Sequence, residues 1–175
     1  MALVVFLRGV NVGRNKRFQP ALLARELPFD VVNVGAAGTF VVRKPVAKAT
    51  LQSEVLARLP FEAEVMICRG SDLVAMARED AFADDAIPPD AQRFVSVLAK
   101  NPRAVPPLPI VRPPGEAWHV RVVAVSGPFV LSFWRHLGDR VLYPNEVVEK
   151  TFGAPTTTRN WNTILKVCEL LAKKP

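Results

Sequence analysis

The sequence predicts an α+β protein made of two halves joined by a short acidic linker. Three observations carry that expectation. Residues 1–82 alternate short apolar runs with amphipathic stretches, in the order strand, helix, hairpin, helix, strand, helix. Residues 83–90 then gather three aspartates and two prolines. Beyond them an apolar run again enters a cationic, asparagine-containing loop, as one does at the N-terminus.

Leu3 to Leu7 are branched or aromatic without alternation, which suits a strand buried on both faces. The run ends in Arg8-Gly9-Val10-Asn11-Val12-Gly13-Arg14-Asn15-Lys16-Arg17, a turn-rich loop with four cations. Phe18 to Leu27 follows at helical spacing, with Phe18, Ala21, Leu22 and Leu27 on the inner face and Pro28 as the stop. Phe29–Val34 and Thr39–Val42 read as a hairpin turning at Gly35 to Gly38. Ala49–Leu59 is a helix with Leu51, Val55, Leu56 and Leu59 inward, and Ala63–Cys68 is a strand. Ser71 is expected to cap a third helix, with Leu73, Val74 and Ala77 inward and Asp72 favoured by the helix dipole. This order is the ferredoxin-like succession with one added helix.

In the second half, spanning 91–175, Arg93–Ala99 reads as a strand running into Lys100-Asn101-Pro102-Arg103. Val105 to Pro114 holds five prolines where the first half has a helix, which forbids an ordinary helix there. A duplication that replaced its first helix would give this pattern. Trp118–Val125 and Phe129–Arg135 form a hairpin whose aromatics are expected to face a covering helix, since no RNP-type motif is present. A helix follows Tyr143-Pro144-Asn145, with Val147, Val148 and Phe152 inward and Gly153 ending it. Thr156 to Thr163 is read as the opening of the last helix, its threonines serving as N-caps. Trp161, Ile164, Leu165, Cys168 and Leu171 supply the apolar stripe of that helix. Arg159 in its first turn would oppose the helix dipole, so a partner for it is expected. The fold class expected is therefore α+β, with two ferredoxin-like-related halves, mainly antiparallel sheets and a C-terminal amphipathic helix.

Half of the 175 residues are hydrophobic and 22% are charged, the balance of a globular chain able to bury a core without disulfides. The net charge of +7 favours an anionic partner, small molecule or nucleic acid. The N-terminus places its charge after a short apolar run, unlike a signal peptide, and no run reaches membrane-spanning length. A cytoplasmic location without membrane association is expected. Cys68 and Cys168 lie far apart and near no histidine cluster, so neither metal nor cofactor is expected.

Two motifs resemble the DUF1697 family of bacterial proteins: Phe6-Leu7-Arg8-Gly9-Val10-Asn11-Val12-Gly13 and Thr158-Arg159-Asn160-Trp161-Asn162-Thr163. Tyr143-Pro144-Asn145 and Glu149-Lys150 are compatible with it. The resemblance implies a cytoplasmic α+β protein of two related, ferredoxin-like halves, and it implies no activity. One departure stands out, since members of that family usually carry Ser-Gly-Asn-Val where this chain has Ala37-Gly38-Thr39-Phe40.

The loop lacks the Gly-Lys-Ser/Thr ending of a phosphate-binding loop, and its glycines miss the dinucleotide spacing. Three functional readings remain. In the first, the protein binds an anion without catalysis through Arg8, Asn11, Lys16 and Arg17 of the loop and through Thr158, Arg159, Asn160 and Asn162 at the helix opening. In the second, it is an enzyme on a phosphorylated or acyl substrate with no nucleophile identifiable; its only histidines are His119 and His136. In the third, the second motif is structural and locks the halves together.

Overall fold

A computed structural model describes residues 1–12, 14, 17–83 and 87–173 of the chain. Among them are nine strands and five helices. The first seven elements are β1 (Leu3–Leu7), α1 (Pro20–Glu26), β2 (Val31–Asn33), β3 (Thr39–Val42), α2 (Lys48–Arg58), β4 (Val65–Arg69) and α3 (Gly70–Arg78). They build a sheet of order β2-β3-β1-β4 in which every neighbouring pair is antiparallel. That is the ferredoxin-like arrangement. β1 is internal and its five residues are all buried, which is why its sequence does not alternate. Leu3, Val5 and Leu7 share a core with Leu23 of α1 and with Leu51 and Val55 of α2. The inner face of α1 centres on Leu23 and not on the expected Leu22, which is 47% exposed; Leu56 of α2 is likewise exposed. Residues one apart on a helix point about a quarter-turn away from each other, so a one-residue error in the stripe turns a side chain out of the core.

The remaining elements are β5 (Gln92–Leu98), β6 (Ile110–Arg112), β7 (Val120–Ser126), β8 (Phe129–Trp134), α4 (Pro144–Phe152), β9 (Thr156–Asn160) and α5 (Trp161–Ala172). Their sheet has the order β6-β7-β8-β5-β9, again antiparallel throughout. Without β6 it reads hairpin, first strand, last strand, the same order as the first sheet. The proline-rich segment stands where α1 stands in the first half, and it adds β6 at the edge beside β7. Leu98, Val120, Val122 and Val130 of this sheet pack with Val147 and Val148 of α4. Phe129 and Phe133 are buried to 1% exposure, so the hairpin's aromatics are inward-facing as expected. A β-bulge between Val122 and Ala124 interrupts the alternation of β7.

Two expectations are corrected. Thr156 to Asn160 is strand β9, paired with β5 from Thr156 opposite Leu98 to Asn160 opposite Phe94. Three successive β-branched threonines fit a pleated strand better than a helical turn, and the backbone partners offered by β5 decide the matter. Second, α3 starts at Gly70 directly after β4, so Ser71 lies inside the helix and does not cap it. In α5 the buried residues are Ile164 and Val167, while Leu165 is 41% exposed.

By spatial contact the chain divides into Met1–Ala77 with Asn162–Pro175, and Arg78–Trp161. The last helix thus groups with the first sheet, where the division by chain order would have put it with the second. Within the first unit, Leu171 of α5 lies against Gly70 at the start of α3, too close for a Cβ there without a shift of the leucine. No helix among the described residues is long and apolar enough to cross a membrane.

Candidate functional site

The cationic loop grows out of the end of β1. Leu7 N–H donates to the Gly38 carbonyl at 2.8 Å, and Arg8 N–H donates to the Glu64 carbonyl at 3.0 Å. The loop is therefore rooted between the β2–β3 turn and the residue that leads into β4. Gly38 has φ +75°, and a Cβ on it would sit 2.8 Å from Leu7 Cβ, so hairpin and strand approach as closely as glycine allows. The Arg8 guanidinium pairs with Glu64 at 2.9 Å, both side chains part-exposed. Asn11 takes the left-handed conformation, φ 53°. Its amide oxygen accepts from Phe18 N–H at 2.9 Å, and its amide nitrogen donates to the carbonyls of Phe18 at 3.1 Å and Ala36 at 2.8 Å. Asn11 thus holds the loop shut at its far end and fastens it to the hairpin turn. Phe18 continues into an edge-on contact with Phe61. Arg14 and Arg17 are exposed. Lys16, the remaining expected contact, lies outside the described residues.

The second motif has a different character. With β9 a strand, Thr158, Arg159 and Asn160 are not at a helix N-terminus, and Arg159 faces no opposing dipole. Its side chain is only 6% exposed. Nη1 donates to Thr157 Oγ1 at 2.8 Å and to the Thr158 carbonyl at 2.9 Å. Burial pulls its pKa down to about 10, which leaves it cationic at neutral pH. Asn160 is exposed at the end of β9, and Asn162 is exposed in the first turn of α5. Arg8, Asn11, Arg17 and Asn162 belong to the first unit, and Thr158, Arg159 and Asn160 to the second.

Thr158 belongs to a chain of polar groups that sequence reasoning did not assemble. Its hydroxyl donates to Asn145 Oδ1 at 2.9 Å, and it lies 2.8 Å from Ser96 Oγ. A hydroxyl has one proton to give, so the Ser96 hydroxyl is the donor in that second bond. Asn145 Nδ2 in turn reaches Glu149 Oε2 at 3.4 Å, one helical turn along α4. The Asn145–Glu149 spacing of four was a usable signal; the link to β9 needed the register of β5 and β9.

Of the remaining reactive groups, burial and then the charge of Asp72 push the Cys68 thiol up to about 12. That makes it a packing residue and not a nucleophile. His119 Nδ1 accepts from Leu142 N–H at 3.0 Å, which holds the approach to α4. Among the described residues no group of three His, Cys, Asp or Glu side chains is placed to hold a metal.

The chain therefore has an α+β fold of two antiparallel sheets with a rooted cationic loop in the first unit. It is similar along its whole length to a solved structure, the conserved bacterial protein SP0830 from Streptococcus pneumoniae. The TM-score is 0.63 and the identity 15%, over 97% of this chain and 98% of that one. At that identity the likeness is one of fold. No family model matches the chain, and no curated protein matches it.

Proposed function

We propose that this protein binds an anionic ligand without transforming it, through the loop between β1 and α1. The reading is supported by one observation above others, the three hydrogen bonds of Asn11. They hold the loop closed before any ligand arrives, so a ligand meets Arg14 and Arg17 on a formed support and less conformational entropy is lost on binding. The net charge of +7 would draw anions toward it. Phosphate, a nucleotide and single-stranded nucleic acid all offer the matching charge. Asn11 acts in this reading as the clamp of the loop, and Arg159 as a buried support of β9. We place the chain with the DUF1697 family on the strength of its two motifs, and its location in the cytoplasm.

The test is a titration by fluorescence anisotropy with a labelled single-stranded oligonucleotide, and by calorimetry with phosphate and nucleotides, each at several salt concentrations. Binding that weakens steeply with salt and fails in an Arg14→Ala, Arg17→Ala double variant supports the proposal. No binding of any of these anions, or binding unaffected by the double variant, overturns it.

A further inference from the structure

α4 presents two faces of opposite character. Val147 and Val148 enter the core, whereas Asn145, Glu146, Glu149 and Lys150, three or four residues apart, are neighbours on the outer side. Together with Tyr143 they line a cleft of about 490 Å³. Tyr143 is the only tyrosine of the chain, and 54% of it is exposed. Its ring stacks on Trp134 with centroids 5.5 Å apart and planes 20° from parallel. Trp134 is itself pinned, its indole N–H donating to the Leu142 carbonyl at 2.8 Å, with Phe94 and His136 edge-on at 5.9 Å. The cleft's aromatic wall is thus a supported plane and not a loose side chain.

Its polar wall is also fixed. Ser96, Thr158 and Asn145 form a hydrogen-bonded series that ends on the Glu149 carboxylate, so that carboxylate is oriented from inside the sheet. A carboxylate accepts several donors, and the Asn145 contact uses one. Two carboxylates face one ammonium in this cleft, which makes it locally negative on a strongly basic chain. A supported aromatic plane beside an oriented carboxylate recognises a flat, delocalised cation, which stacks on the ring while its paired N–H groups meet the oxygens. An ammonium matches the charge but not the plane.

We infer that this cleft is a subsite for a guanidinium group, such as the side chain of an arginine, with Tyr143 as its stacking surface and Glu149 as its acceptor. Lys150 on the same wall opposes the ligand's charge and limits its affinity.

Because Tyr143 is the sole tyrosine, fluorotyrosine incorporation gives a fluorine NMR signal from this cleft alone. The labelled protein is titrated with acetyl-arginine amide, acetyl-lysine amide, the neutral isostere acetyl-citrulline amide, and phosphate. The inference expects a saturable shift with the arginine compound, a weaker one with lysine and none with citrulline. Glu149→Gln should weaken arginine binding about fivefold or more, and Lys150→Gln should strengthen it. An equal response to citrulline, a preference for phosphate, an unchanged Glu149→Gln affinity, or weaker binding in Lys150→Gln would each overturn it. An arginine flanked by several residues of peptide separates the two sources of the group. Tighter binding than the capped amino acid assigns the subsite to a protein segment, equal binding assigns it to a small molecule, and both outcomes support the inference.

Discussion

Asn11 brackets Phe18, its amide oxygen taking the Phe18 N–H and its amide nitrogen giving to the Phe18 carbonyl. A third bond, to the Ala36 carbonyl, ties the same side chain to the hairpin turn. Replacing Asn11 by Ala removes all three and leaves Phe18 N–H and two carbonyls to water. The expected loss is about 1–3 kcal/mol in urea unfolding. Anion affinity should fall alongside, although the substitution removes no charge. Unchanged stability would mean that the loop holds its shape without the clamp.

Gly38 is required twice over, by its φ of +75° and by Leu7 Cβ standing 2.8 Å from where its own Cβ would be. Leu7 is only 1% exposed and cannot retreat into solvent. Gly38→Ala should therefore cost about 1–3 kcal/mol, against a small change for Gly9→Ala, where only the backbone is strained. Thermal unfolding of the pair separates close approach from conformational strain.

Arg159→Ala is expected to destabilise the ligand-free protein. The guanidinium bonds Thr157 Oγ1 and the Thr158 carbonyl while itself buried, and its removal leaves a void and two acceptors at fault. A loss of about 1–3 kcal/mol is expected. That lowers the melting temperature by about 2–4 °C per kcal/mol in a chain of this size. A melting temperature equal to that of the parent would instead point to a ligand contact.

Cys68 ties stability to alkaline pH. Its folded-state pKa is raised from 9.0 to about 12, so the folded protein keeps the proton between those values while the unfolded chain releases it. Its contribution is fully present below pH 9 and declines as pH rises toward 12, by at most about 1.4 kcal/mol per unit. The difference in urea midpoint between the parent and Cys68→Val should be constant below pH 9 and shift in favour of the variant above it. A difference that does not move with pH refutes this account.

The fold was legible where a residue type had one reading. Leu3 to Leu7, apolar without alternation, signalled an internal strand, and Gly153 ended α4 with φ +61° as its position suggested. The threonine run had two readings, since hydroxyl side chains cap helices and β-branched ones line strands. Capping was preferred although the repeat itself called for a strand between the last two helices. At the site, Asn11 was visible as a polar residue in a cationic loop. Its partners stand 7 and 25 positions away, and nothing local distinguishes an amide that meets a ligand from one that closes a turn. The Trp134–Tyr143 stack joins a hairpin to the start of a helix, a proximity that depends on α4 lying across the second sheet.

β6 remains, three residues with Pro109 before it and Pro113 after it, on the outside of β7. A sheet grows when its last strand offers a run of N–H groups to another chain, and proline has none to offer. The segment that replaced a helix therefore finishes the sheet on that side, and the prolines guard this margin against runaway self-association when the protein is crowded or concentrated.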